Sequence, residues 1–331
     1  MKPKGTLLLG RRDVAALLSL DECIAAVEQA FKSHVEGRSL PPGVLGIHSR
    51  DGGFHIKAAG LELARPYFAA KVNGNFFRNK PRFGMPNIQG VIALCDAENG
   101  YPLAVMDSIE ITIIRTGAAT GVAAKYLARP GASVATISGC GAQGRISLRA
   151  LATVRRLERV YAFDTDHGQA ERYAHELSNE LSVAVTAVRD FSESLGKSDI
   201  CVTCTPSKQP YLNLSDVMPG AFIAAVGADN EEKQELDPRL IAASKVVVDI
   251  LDQCATIGDL KLALKQGLMT KADVHAELGE VIAGKKPGRE KSEEIIVFDS
   301  TGTALQDVAA AAIVYEKAVA TDRGFLLDFA E

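Results

Sequence analysis

The sequence predicts an α/β protein: a doubly wound parallel sheet occupies the middle of the chain, and the two ends together form a second, α+β domain. Three observations carry this. Between about residue 133 and residue 250, short apolar runs alternate with helical patterns, the order expected where helices join parallel strands. Upstream, the apolar runs instead pair as hairpins, and downstream lies one alanine-rich helix. A discontinuous domain built from both ends explains why the alternation is confined to the middle, and 331 residues suit two domains of roughly 100 to 200 residues each.

In the N-terminal part, Ser19-Leu-Asp-Glu22 is a capping box, and Ile24, Val27 and Phe31 follow at helical spacing until Gly37. A Pro-Gly-rich passage follows near residue 40. Strand-like runs then appear at Phe54 to Ile56 and Phe68 to Val72. Val91 to Leu94 and Leu103 to Met106 flank a turn at Asn99-Gly100, so this part is expected to be antiparallel. From Ile109 a helix of small residues begins, in which Thr116 to Ala124 has so little bulk that another backbone or a ligand can approach closely. Arg129-Pro-Gly131 stops it. The alternation follows: strands at 133–138, 160–163, 183–187, 200–203, 222–226 and 246–250, with helices from Gly144 and from Asp166 to Leu181. A last strand, Ile295 to Phe298, precedes the helix Thr303 to Ala318.

Composition narrows the function classes. The chain is 47% hydrophobic and 24% charged, ordinary for a folded soluble protein, and its formal charge of -4 comes with no basic stripe to neutralise a phosphate backbone. Nucleic acid is not an expected partner. No apolar stretch approaches the ~20 residues that span a bilayer, so no membrane partner and a cytoplasmic location are expected. Six scattered cysteines are expected to be free thiols, and neither they nor the six histidines have metal-ligand spacing, so no metal site is expected.

The strongest motif is Gly139-Cys-Gly141-Ala-Gln-Gly144, a G-x-G-x-x-G between an apolar strand and a helix. In a Rossmann fold the first glycine makes the tight turn, the second lets backbone approach a pyrophosphate, and the third lets helix and strand pack. The helix N-terminus offers its free N–H groups to phosphate. Asp164 closes the next strand 25 residues after Gly139, where a carboxylate grips a ribose 2′-hydroxyl. NAD is therefore favoured over NADP, whose 2′-phosphate Asp164 would repel.

Several further segments, Lys71-Val-Asn-Gly-Asn75, Gly84 to Gly90, Pro102 to Asp107, Thr112 to Ala119, Gly227-Ala-Asp229 with Lys233 to Leu236, and Phe298 to Gly302, together with the fingerprint resemble the ornithine cyclodeaminase / μ-crystallin family. The resemblance runs in order over nearly the whole chain. It implies a substrate-binding and dimerisation domain from residues 1–115 and 302–331, around an NAD-binding Rossmann domain of residues 116–301, and a homodimer. It also implies hydride chemistry at the carbon–nitrogen bond of a small amino or imino acid, by an imine reductase or amino acid dehydrogenase of the iminosuccinate or alanine type. Ornithine cyclodeaminase is the alternative within chemistry; a non-catalytic μ-crystallin-like binding protein is the alternative outside it.

By the same resemblance, Lys71 and Arg115 hold the substrate carboxylate, with Thr301 beside it, and Asp229, at the carboxyl end of a strand, exchanges the proton; Lys71 and Asp229 are the catalytic pair. Asn87, Arg115, Thr116, Gly139, Gly141, Ala142, Gln143, Asp164, Thr203, Gly227, Lys233 and Ser300 fall where relatives contact the dinucleotide, with Thr205 a near-equal candidate to Thr203. One departure stands out. Many relatives carry a substrate-binding arginine near residue 43, where this chain reads Leu40-Pro-Pro-Gly43. Lys57, in Phe54-His-Ile-Lys57, is the candidate to supply that charge from another direction, which tells against ornithine cyclisation and for small or dicarboxylic imines.

Overall fold

The computed structural model describes residues 5–328. The chain forms two compact units, one from the residues up to Arg115 together with those from Thr303 onward, the other from Thr116 to Gly302.

The first unit opens with β1 (Thr6–Leu9), α1 (Arg11–Leu17) and α2 (Leu20–Val35). Ser19 caps α2 as expected: its hydroxyl accepts the Glu22 N–H, and the Glu22 carboxylate accepts the Ser19 N–H. Next come β2 (Ser39–Ser49), β3 (Gly52–Glu62), β4 (Pro66–Asn75), the short α3 (Asn79–Phe83), β5 (Ile88–Asp96) and β6 (Pro102–Asp107), followed by α4 (Ser108–Leu127), which carries the chain into the second unit. The Pro-Gly-rich passage, whose residues carry no strand signal, is β2, an edge strand. An edge tolerates proline because one side needs no ladder hydrogen bonds, and the register slips between Leu40 and Gly43, across Pro41 and Pro42.

In the second unit the order is β7 (Val134–Ser138), α5 (Ala142–Val154), β8 (Arg159–Phe163), α6 (His167–Leu181), β9 (Ala184–Ala187), α7 (Phe191–Leu195), β10 (Ile200–Thr203), β11 (Phe222–Ala225), α8 (Pro238–Ala242), β12 (Lys245–Val248), α9 (Leu251–Ile257), α10 (Leu260–Lys265), β13 (Ala276–Glu277), α11 (Leu278–Ile282) and β14 (Ile296–Asp299). All described strand pairs are parallel, in the order β13-β12-β14-β11-β10-β7-β8-β9. The order reverses between β7 and β10, the crevice where open α/β sheets take ligands. The core strands are buried on both faces, which is why they read as short apolar runs without alternation. The glycine at 117 lets α4 lie tightly on α5: a β-carbon there would sit 2.6 Å from the Ile146 side chain. Close approach by another element was the expectation for this stretch, and backbone is what approaches.

The chain returns to the first unit with α12 (Ala304–Ala320), capped by Thr303, and β15 (Phe325–Leu327). The first sheet runs β15-β1-β6-β5-β4-β3-β2, with α12 packed on α2, β3 and β4. This sheet is mixed rather than antiparallel, because β1 pairs parallel to β6. A four-residue strand at the start of the chain carries too little periodicity to announce itself.

Candidate functional site

In the second unit the glycine fingerprint is built as its mechanism requires. Gly139 has φ +99, a conformation side chains disfavour, and its N–H donates to the Phe163 carbonyl at 2.9 Å. A β-carbon on Gly144 would lie 2.0 Å from the Gly139 carbonyl oxygen, so only glycine lets α5 start this close to β7. Gly141 is the N-cap of α5 and Ala142 its first residue, and open space lies beyond Gly141. The adjoining Gln143 has a buried Oε1 without a hydrogen-bond partner among the described residues. A buried acceptor left over at a phosphate-type helix start fits a dinucleotide that supplies the missing donor.

Beside this turn lies a cavity of about 750 Å³ lined by Gly139, Gly141, Asp164, Arg189, Thr205 and Tyr211 among others. Asp164 is aimed there and held firmly: Oδ2 accepts the Cys140 N–H at 2.9 Å and the Gln169 amide at 3.1 Å, and Oδ1 accepts the Asp166 N–H at 3.0 Å. Arg189 was not singled out in the sequence, since it follows a different strand from Asp164 and only the sheet brings the two to one cavity. This pairing sets an expected outcome. Replacing Asp164 by Ser should weaken NADH binding by roughly tenfold, the worth of a charge-assisted bond, and strengthen NADPH binding as repulsion ends and a guanidinium remains. Fluorescence titration with both dinucleotides measures it; an unchanged NADH-to-NADPH ratio would contradict the assignment.

The loop after β11 is held from two sides. Gly227 donates its N–H to Glu235 Oε2 at 3.0 Å, and its carbonyl accepts from Lys233 Nζ at 3.1 Å. Lys233 also pairs with Asp229 Oδ1 at 2.8 Å, and the Asp229 side chain keeps 43% of its surface exposed. A carboxylate with one fixed cation and an open face is suited to proton exchange. Glu235 is fully buried and joins this loop to the one after β10, because Oε1 accepts the Thr205 N–H and hydroxyl, both at 2.7 Å, and the Tyr211 hydroxyl at 3.0 Å. Burial, and next the nearby Asp259 carboxylate, push its pKa above the ordinary value. Thr203 is fully buried, whereas Thr205, the alternative to it, lines the cavity. Ser300 and Thr301 are buried with hydroxyls donating to Asp249 at 3.1 and 3.2 Å, so a single buried carboxylate fixes that turn.

The first unit holds a charged cluster. Lys57, Lys71, Arg115 and Asp307 expose 6%, 3%, 5% and 1% of their surface. Arg115 donates Nε to Asp307 Oδ1 at 3.1 Å and Nη1 to Gln306 Oε1 at 2.7 Å; Lys71 Nζ lies 2.7 Å from Asp307 Oδ2. Burial, opposed by Asp307 but reinforced by Arg115 and Lys57, lowers Lys71 to about 7. Lys57 stands directly across from Lys71 in the β3–β4 register. Thr116 is buried in α4, and Asn87 Oδ1 accepts the Lys80 N–H, fastening the start of α3. Asp307 and Gln306 escaped the sequence reading, which saw only an alanine-rich helix; two polar residues in the first turn of an otherwise apolar helix were the available signal. Among the described residues no group of three or more His, Cys, Asp or Glu could hold a metal ion, and no helix is long and apolar enough to cross a membrane.

Three solved structures resemble the chain over nearly its whole length. An archaeal alanine dehydrogenase dimer with bound NAD is 38% identical, covering 98% of this chain and 99% of the other, with a TM-score of 0.93. The Δ(1)-pyrroline-2-carboxylate reductase of Thermococcus litoralis, in complex with NADH and L-proline, is 34% identical over 97% and 100%, with a TM-score of 0.92. The iminosuccinate reductase of Paracoccus denitrificans in complex with NAD+ is 30% identical over 98% and 100%, with a TM-score of 0.90. With residues 4–322 also matching its family model, the chain belongs to the ornithine cyclodeaminase/mu-crystallin family.

Proposed function

We propose that this protein is an NAD-dependent oxidoreductase acting on the carbon–nitrogen bond of a small amino or imino acid, as an imine reductase or amino acid dehydrogenase. The observation that carries it is the buried convergence of Lys71 and Arg115 on one carboxylate, in a chain whose other unit bears a complete dinucleotide fingerprint. A pure binding protein needs neither this cradle nor an acid at position 229. The relatives point the same way, each acting on an amino or imino acid with NAD or NADH bound.

Gly139 to Gln143, Asp164 and Arg189 would hold the dinucleotide, with Lys233 and Ser300 counted among its contacts by the family resemblance. Bound there, reduced nicotinamide supplies one hydride, and hence both electrons, to the imine carbon. Lys71 and Arg115 fix the substrate carboxylate, and Asp229 delivers or takes the proton on nitrogen, so that imine plus NADH plus a proton gives amine plus NAD. Asp229 as carboxylate also favours the iminium over the neutral imine.

The test is loss of nicotinamide absorbance with a panel of 2-oxo acids plus ammonia and with preformed cyclic imines; ornithine is assayed by proline and ammonia, since no net NADH is consumed. NADH binding without any turnover would leave the binding-protein reading instead. The panel also carries a pH prediction. Lys71 binds a carboxylate only when protonated, and burial lowers its pKa to about 7. The KM for the imino acid should therefore rise above pH 7, by up to about tenfold per unit, and stay level below it. A KM independent of pH between 6.5 and 8.5 would count against Lys71 as the anchor.

A homodimer is part of the proposal. The face of the first sheet opposite Lys57 and Lys71 exposes Phe54, Val72 and Val91, and β2 exposes Leu40, Val44, Leu45 and Ile47, an apolar surface that wants a cover. All six cysteines are free, which suits the reducing cytoplasm as the working compartment.

A further inference from the structure

The loop that carries Asp229 closes on itself. Lys233 reaches back to the Gly227 carbonyl at 3.1 Å and to Asp229 Oδ1 at 2.8 Å, and Glu235 Oε2 accepts the Gly227 N–H at 3.0 Å. The other oxygen of Glu235 ties this ring to the wall of the cavity beside the glycine turn, since it accepts the Thr205 N–H and hydroxyl and the Tyr211 hydroxyl. Thr205 and Tyr211 line that cavity, and the Tyr211 hydroxyl lies 3.0 Å from that of Ser138, the residue before Gly139.

The clasp is built for an ionised acid. A β-carbon on Gly227 would lie 2.2 Å from Glu235 Oε2, so the glycine at 227 and the acid at 235 fit only each other. Glu235 is held from behind as well, its N–H donated to Asp259 Oδ1 at 2.7 Å. A carboxylate offers about four lone-pair directions to donors; once protonated, it must find an acceptor among groups that are already donating to it. Burying such a charge costs stability, so folding does not explain its place. Facing Glu235 are Asp259 from the start of α10, Tyr211 from the loop after β10, and the thiols of Cys201 and Cys204, with Lys261 turned to Asp259. Burial pushes the phenol and both thiols up, so they stay neutral; burial, and next the Asp259 charge, raise the Glu235 carboxyl to about 7.

We propose that Glu235 is a positioning residue for the reduction: its ionised carboxylate clasps the Asp229 loop to Thr205 and Tyr211, and uptake of a proton there releases Asp229 from its working place. The inference rests on the imine-reductase reading, with Asp229 as proton carrier, and adds a group that acts through Asp229. The proton stays on Glu235, and the balance of the reduction is unchanged.

The test measures kcat at saturating NADH and imine between pH 6 and 8, in the wild type, Glu235→Gln, Asp229→Asn and the double variant. The substrate is the fastest of pyruvate plus ammonia, oxaloacetate plus ammonia and pyrroline-2-carboxylate. At pH 8 Glu235→Gln should be slower by roughly 10- to 100-fold, the worth of a hydrogen bond to a charged group. At pH 6 the wild type has taken up the proton and resembles the amide, so the gap should narrow about tenfold. Other titrations are common to both proteins and cancel in the ratio. In Asp229→Asn the same substitution should cost less than about threefold, because the residue it positions is gone. A gap absent at pH 8, unchanged between pH 6 and 8, or of full size in Asp229→Asn overturns the inference and leaves imine reduction standing. If no imine is reduced although NADH binds, the parent reading fails, and hydrogen exchange decides the clasp. Exchange at 204–211 and 226–230, corrected for the intrinsic rate, should quicken from pH 8 to 6 in the wild type and not in Glu235→Gln; parallel behaviour of the two overturns the inference. Should Glu235→Gln not fold, Thr205→Val serves instead. It removes one donor to the carboxylate, so kcat should fall at a higher pH than in the wild type, and an unmoved profile overturns the inference.

Discussion

Replacing Asp229 by Asn is expected to lower kcat/KM for the imine by about a thousandfold, the middle of the range for a positioned general acid or base. The substitution keeps size and shape. It removes the charge that favours the iminium and the group that passes the proton, while the loop stays anchored because Lys233 still reaches the Gly227 carbonyl and Glu235 still accepts the Gly227 N–H. NADH affinity should therefore change by no more than about threefold, and the loss should appear in kcat rather than in dinucleotide binding. Steady-state rates and a fluorescence titration separate the two. Activity within tenfold of the wild type would remove Asp229 from the chemistry, whatever happens to NADH.

The second large effect belongs to stability. Asp307→Asn leaves Lys71 and Arg115 buried without their carboxylate, the situation in which breaking an ion pair costs about 3–5 kcal/mol. Urea unfolding followed by near-ultraviolet circular dichroism measures it through Tyr67 and Tyr315, which pack edge to face in this unit. The deficit should shrink as pH rises. Lys71 already has its folded pKa lowered to about 7 from an ordinary 10.5, so the unfolded chain binds the extra proton between those values and stability rises with pH across that window. Without Asp307, which raises the Lys71 pKa, the window widens and the gain is larger. The shrinkage falls below pH 7, where only the variant has already released the Lys71 proton in its folded form, so a deficit under about 1 kcal/mol, or one that does not shrink as pH rises towards 7, would contradict this account.

What was legible in the sequence is what local physics dictates. Gly139 and Gly144 are required by a turn and a contact five residues apart, and Ser19 with Glu22 caps a helix within four residues, so both could be read without a fold. Asp164 was legible because the fingerprint fixes where the next strand must end. Asp307 was not: its partner Arg115 lies 192 residues away, and nothing near residue 307 marks the need for a counter-charge. The same holds for Glu235, whose acceptor role joins Thr205, Tyr211 and Gly227 from two loops, and for Asp249, which gathers Ser300, Thr301 and Gly302 from across the sheet edge. Edge strands are a separate difficulty. β2 was hidden because its prolines argue against a central strand, and only the sheet order reveals that it has one free side.

The first unit is assembled from segments that leave the ribosome at very different times. Residues through Arg115 emerge first, yet the helix that covers β3 and β4 and brings Asp307 to Lys71 appears only after all of Thr116 to Gly302 has been synthesised. At about 5–20 residues per second that delay is on the order of 10 to 40 seconds, long enough for the contiguous second unit to fold while the first waits with its sheet uncovered. Nascent chains are thus most prone to mispairing or chaperone capture through their earliest-made part, and a translational pause just before residue 303 would prolong that exposure.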